Sequence, residues 1–87
     1  MISFDFTVND PLGLHARPAG LLVKVAQGFE SESIVHLERT AKTASLKKLL
    51  AVMSLGVKGG DRIRVSVDGA DEATAAEAIE RWLRENM

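Results

Sequence analysis

At 87 residues the chain has room for one small domain, expected to span residues 1–87, and none for a second core. With 46% hydrophobic and 26% charged residues it has a globular composition, and eleven basic against twelve acidic residues, a formal net charge of −1, argue against a nucleic-acid partner. The absence of cysteine excludes disulfides, thiolate nucleophiles and cysteine metal ligands.

Ile2, Phe4, Phe6 and Val8 alternate with Ser3, Asp5, Thr7 and Asn9, the period of a strand with one buried face. Asn9-Asp10-Pro11 and Gly13 break that strand. Pro18 suits the first turn of a helix running from about Ala16 to Gln27, with Ala19, Leu22, Val23 and Ala26 on its apolar stripe and Gly28 as its stop. Arg17, Gly20, Lys24 and Gln27 fall on the opposite, polar stripe. Two short hairpin strands follow, from about Ser33 to Leu37 and from about Thr40 to Ala44.

Ser45 can cap a short helix through about Leu55, closed by Gly56. Gly59-Gly60 turn the chain into a strand from Arg62 to Asp68, in which Ile63, Val65 and Val67 alternate with polar residues. Asp71 then caps a last helix whose buried stripe holds Ala76, Ile79 and Leu83, with Trp82 at its rim. The order is therefore βαββαβα. Too few helical crossovers exist for a doubly wound parallel sheet, so the expected fold is an α/β (α+β) open-faced sandwich: four mainly antiparallel strands with three helices on one face.

The longest apolar runs, such as Leu21–Val23 and Leu49–Met53, fall far short of the roughly 20 residues that span a bilayer, and Met1-Ile2-Ser3-Phe4-Asp5 does not read as a signal peptide. A cytoplasmic protein without membrane insertion is the expectation.

The segment that carries chemistry is Gly13-Leu14-His15-Ala16-Arg17-Pro18-Ala19. It sets a histidine at the entrance of the first helix and an arginine within the first turn. Free N–H groups and the helix dipole favour an anion there, and the Arg17 guanidinium can pair with phosphoryl oxygens, so a phosphate on His15 would lie in a favourable field. On the residues alone, His15 could equally be a solvent-facing loop residue and Arg17 a surface charge. His36 has no second histidine or carboxylate at ligand spacing, so no metal site is assigned.

Together with Val52-Met53-Ser54-Leu55-Gly56-Val57 and Lys58-Gly59-Gly60, the histidine segment closely resembles HPr, the histidine phosphocarrier family of the bacterial phosphoenolpyruvate-dependent sugar phosphotransferase system. The resemblance spans nearly the whole chain. It implies a covalently phosphorylated carrier and not an enzyme with its own turnover, charged by enzyme I and discharged onto IIA domains of sugar transporters, with no cofactor of its own. His15 would take the phosphoryl group on Nδ1, Arg17 would steady it, and the N–H groups of Ala16 and Arg17 would complete the cradle. A monomer is expected, because a carrier must show one face to successive partners.

Leu49, Leu50 and Met53 stand at i, i+1 and i+4 of the short helix and could be core, although Val52 and Leu55 can supply that core instead. The resemblance favours Leu49, Leu50 and Met53 as docking residues. Lys24, Lys47 and Lys48 either add a positive rim toward acidic partners or are simply solvated. Where relatives carry a regulatory serine at the start of the short helix, this chain has Lys48. Two other readings compete: a carrier of the nitrogen-related phosphotransfer chain, and a small acylphosphatase-like hydrolase. The second would need an arginine in a phosphate-cradling loop with a catalytic asparagine, and no such constellation is evident.

Overall fold

A computed structural model describes residues 1–87. In chain order the elements are β1 (Ile2–Thr7), α1 (Ala16–Gln27), β2 (Glu32–Leu37), β3 (Lys42–Ser45), α2 (Leu49–Ser54), β4 (Arg62–Asp68) and α3 (Glu72–Asn86). The strands form one sheet in the order β1-β4-β2-β3, and all three pairings are antiparallel. β1 and β2 both bond to β4, so the connection through α1 leaves a gap that β4 later fills. α1 and α3 pack side by side, α3 lies on β1 and β4, and α2 packs against α1 and β3.

Alternation decides which sheet face each side chain joins. Val35 and Leu37 of β2 and Ile63, Val65 and Val67 of β4 are buried with Ala19, Leu22, Val23 and Ala26 of α1 and Ala75, Ala76, Ile79 and Leu83 of α3. Phe4 and Phe6 pack against this cluster from β1, as does Trp82 from α3. The opposite face of the sheet is charged: Asp5 accepts from Arg64 Nε at 2.9 Å and from Arg62 Nη2 at 3.0 Å.

Three local expectations need correction. The short helix begins at Leu49 with Lys48 at its N-cap, not at Ser45. Ser45 is the last residue of β3, where its Oγ accepts the Lys47 N–H at 3.2 Å and its carbonyl accepts the Lys48 N–H at 3.2 Å. Leu46, fully buried, draws the chain through this turn before a helix can start. The second hairpin strand likewise begins at Lys42 and not near Thr40, because Ala41, at φ 59°, sends its N–H back to the Leu37 carbonyl at 2.8 Å. Finally, Asp71 occupies the N-cap of α3 but makes no side-chain cap bond. Its carboxylate instead accepts the Glu30 N–H at 2.9 Å, the Ser31 N–H at 2.9 Å and the Ser31 hydroxyl.

Candidate functional site

The loop between β1 and α1 is shaped by close backbone contacts. Asp10 Oδ1 accepts the Leu12 N–H at 2.9 Å and the Asp10 carbonyl accepts the Gly13 N–H at 2.9 Å, a tight turn of the kind aspartate favours. Gly13 has φ 68°, and a Cβ there would collide with the Val57 carbonyl oxygen and stand 2.6 Å from the Lys58 Cα. Across the same contact, a Cβ on Gly59 would stand 2.7 Å from the Asp10 carbonyl oxygen. The two loops therefore interlock backbone to backbone, and the Leu14 N–H donates to the Val57 carbonyl at 3.0 Å.

This arrangement buries Leu14 and leaves the next side chain, His15, exposed. His15 is the N-cap of α1, with φ −79° and ψ −177°, and its side chain makes no cap hydrogen bond. The first intrahelical bond runs from the Ala19 N–H to the His15 carbonyl at 2.9 Å. Ala16 and Arg17 thus present N–H groups with no acceptor in their own helix, while Pro18 has no N–H to leave unpaired. No acidic residue occupies the first turn, so nothing built into the chain competes with an external anion for these donors and the positive end of the helix dipole. Arg17 is exposed beside them and forms no ion pair.

A shallow depression of about 480 Å³ extends from Arg17 between α1 and α2, lined by Gly20, Leu21, Val23, Lys24, Gln27 and Leu49. Leu49, Leu50 and Met53 are all exposed, Leu50 at 78%, whereas Val52 and Leu55 turn into the core. Leu21, which the sequence did not single out, is 49% exposed and adjoins Arg17 and Leu49. The signal was available: Leu21 lies four residues after Arg17 and is an apolar side chain inside an otherwise polar stripe.

The lysines separate. Lys24 and Lys48 are exposed. Lys47 is half-buried and turns its ammonium inward to the Phe29 carbonyl at 2.7 Å and the Glu30 carbonyl at 3.4 Å, while its own carbonyl accepts from Gln27 Nε2 at 3.0 Å. It fastens the end of α1 to the start of α2 instead of extending toward a rim. His36 lies on the open sheet face among Glu38, Arg62 and Arg64, and nowhere do three His, Asp or Glu side chains gather as a metal site would require. No helix is long and apolar enough to cross a membrane.

Comparison with known proteins gives this geometry a family. A family model described as "PTS HPr component phosphorylation site" matches residues 2–85. The phosphocarrier protein HPr of Lysinibacillus sphaericus is 48% identical over 81 residues, covering 93% of this chain and 90% of the relative. HPr of Mycoplasma genitalium is 37% identical over 86 residues, covering 99% and 97% respectively. The crystal structure of HPr-C-His from Thermoanaerobacter tengcongensis superposes with a TM-score of 0.91 at 33% identity, over 98% of this chain and 93% of that one. With an exposed histidine at an open helix N-terminus and matches that run almost end to end, the chain belongs to the HPr family of phosphocarrier proteins of the phosphotransferase system.

Proposed function

We propose that the chain accepts a phosphoryl group on Nδ1 of His15 from enzyme I of a phosphoenolpyruvate-dependent sugar phosphotransferase system and passes it to IIA domains of sugar transporters. The observation that carries this reading is the pairing of an exposed, uncommitted His15 imidazole with the unpaired N–H groups of Ala16 and Arg17 at the start of α1. Nδ1 supplies the electron pair for the new phosphorus–nitrogen bond, and the bond from phosphorus to the donor breaks with its pair leaving on the donor group. Attack through Nδ1 requires the ring tautomer that carries its proton on Nε2. The phosphoryl oxygens then meet the two N–H groups, the helix dipole and the Arg17 guanidinium, whose fixed fork suits phosphate. The same contacts serve the return transfer, as a relay needs.

Docking is assigned to the apolar surface beside the site: Leu49, Leu50 and Met53, joined by Leu21 across the depression. Lys24 and Lys48 add positive charge toward acidic partner surfaces, an effect felt more in encounter rate than in affinity. The carrier works in the cytoplasm, as a monomer and as a single 1–87 unit, without metal or organic cofactor. Incubation with enzyme I and phosphoenolpyruvate, followed by intact mass measurement, tests the proposal. Wild type gains one acid-labile phosphoryl group and His15→Ala gains none; acceptance retained in His15→Ala overturns it. Arg17→Ala keeps the same modified residue but exchanges phosphoryl at least about tenfold more slowly.

A further inference from the structure

We propose that Arg39, from the turn between β2 and β3, is a positioning residue for the phosphoryl site: it locks both ends of the 56–61 loop on which the His15 loop rests. The proposal builds on the phosphocarrier reading of His15.

The lock is a single guanidinium with three contacts. Arg39 Nε donates to Asp61 Oδ1 at 3.0 Å and Nη2 to Asp61 Oδ2 at 3.0 Å, a two-point fork on one carboxylate. The same Nη2 donates to the Gly56 carbonyl at 3.0 Å. Gly56 follows the last turn of α2 and Asp61 precedes β4, so one side chain ties the start of the loop to its end. Asp61 closes the ring from inside, since its Oδ2 also accepts the Lys58 N–H at 2.8 Å.

An exposed ion pair would deserve little weight, because solvent and lost side-chain entropy cancel most of its attraction. This one differs in its acceptor: the Asp61 side chain is only 11% exposed, although that of Arg39 is 46% exposed. Arg39 and the Lys58 N–H hold the Asp61 carboxyl below the usual carboxylate range, in keeping with a carboxylate that stays charged and engaged. Three acceptors around one planar donor also explain the residue type. A lysine ammonium, a point donor, cannot span the carboxylate and the Gly56 carbonyl in the same way.

What the lock holds is the floor of the site. Between Gly56 and Asp61 lie Val57, whose carbonyl receives the Leu14 N–H, and Gly60, whose N–H donates to Val8 at 2.8 Å; the Asp61 carbonyl receives the Val8 N–H at 2.9 Å. The interlocked Gly13 and Gly59 leave no slack between the two loops. A shift of the 56–61 loop is therefore passed by a hydrogen bond and by backbone contact to Leu14, one residue before His15. Because Gly56 stands just past the C-cap of α2 and donates its N–H to the Met53 carbonyl at 3.3 Å, Arg39 couples the proposed docking helix to the proposed acceptor.

The test compares Arg39→Ala, Arg39→Lys and, as a control, Arg64→Ala, which breaks an ion pair with Asp5 on the open sheet face away from these loops. Two readouts are taken on folded protein: hydrogen exchange of the Leu14 amide, and the rate of His15 phosphorylation by phosphoramidate. In that reaction the donor P–N bond breaks, ammonia leaves and the His15 P–N bond forms without any partner protein. Arg39→Ala exchanges the Leu14 amide about tenfold faster, the equivalent of about 1.4 kcal/mol, and accepts phosphoryl at least about threefold more slowly. Arg39→Lys falls between it and wild type, and carries the test if Arg39→Ala fails to fold; Arg64→Ala matches wild type in both readouts. Wild-type Leu14 exchange or a wild-type rate of His15 phosphorylation in Arg39→Ala overturns the proposal, as does an equal change in Arg64→Ala. Failure of wild type itself to accept phosphoryl refutes the carrier reading instead, while Leu14 exchange still decides whether Arg39 locks the loops.

Discussion

The carboxylate of Asp71, at the head of α3, reaches the buried Ser31 hydroxyl across 40 residues of sequence and accepts the N–H groups of Glu30 and Ser31 as well. These bonds, the Ser31 hydroxyl first, hold the Asp71 carboxyl below the ordinary carboxylate range. Bonds from Arg64 and Arg62 do the same for Asp5, and the amino group of Met1 with the Gly69 N–H does it for Glu72. A depressed folded-state pKa adds stability above the unfolded value, about 3.9 for aspartate, and that stability is lost as pH falls through the folded value. Thermal melts of wild type are therefore flat in this contribution above about pH 5 and decline below about pH 4, by an amount that solvent screening keeps modest. Asp71→Asn has a lower Tm than wild type at neutral pH, and the gap narrows in acid; a gap that widens on acidification contradicts the assignment.

Leu50 and Val52 sit two residues apart on α2 with opposite exposures, 78% and 0%. Leu50→Glu or Met53→Glu leaves the Tm near wild type and raises the dissociation constant for enzyme I by roughly tenfold, about 1.4 kcal/mol, since a carboxylate must be covered by an apolar partner surface. Val52→Ala does the reverse: it costs about 2 kcal/mol of stability through a cavity, with docking by the folded fraction unchanged. Chemical-shift titration and denaturant melts separate the two effects. Unfolding of Leu50→Glu would place Leu50 in the core.

Ser33 faces the helices from β2, is 1% exposed, and its hydroxyl has no hydrogen-bond partner. An unpaired buried hydroxyl costs about 1–3 kcal/mol, and alanine removes it while leaving only a small void. Ser33→Ala is expected to raise stability by about 1 kcal/mol in urea melts. A loss of stability would mean that the hydroxyl has a partner in solution.

Lys48 stands at the N-cap of α2, where the helix already disfavours a cation. A kinase directed at the serine that the family resemblance implies for this position finds no hydroxyl there. Ser45, in β3, lies before the turn, and Ser54 is spent on the Leu50 carbonyl at 2.8 Å. Exposed to such a kinase and ATP, wild type gains no phosphate and Lys48→Ser gains one; phosphopeptide mapping that finds modified Ser45 or Ser54 in wild type refutes this.

Local pattern carried much of the fold. The period-two alternations of residues 2–8 and 62–68 and the apolar stripe of α1 gave element type, buried face and, for α1, both ends. Errors came where burial of a neighbour or a distant group took over a residue with a familiar local role. Ser45 and Asp71 both have cap chemistry, yet burial of Leu46 turns the first into a strand end, and Ser31 claims the carboxylate of the second. The placement of His15 at the entrance of α1 and of Arg17 in its first turn was legible from their spacing, but a role for them was not, since the same spacing fits a solvent-facing histidine and a surface arginine. The Arg39–Asp61 pair was not, since 22 residues separate partners that only the sheet brings together.

The strand order β1-β4-β2-β3 also sets a timetable for the growing chain. The hairpin of β2 and β3 can close from neighbouring sequence, but β1 has no strand to bond until β4 appears, with Ile2 opposite Val67. During synthesis, then, the first strand and the site-bearing segment behind it leave the ribosome without their supports: the Leu14 and Val8 amides wait for the Val57 and Asp61 carbonyls, and the Asn9 and Asp10 amides for the Met87 carbonyl at the end of α3. Assembly of the acceptor surface thus comes late in chain closure, and a nascent fragment lacking β4 has only the β2–β3 hairpin and no floor for its histidine.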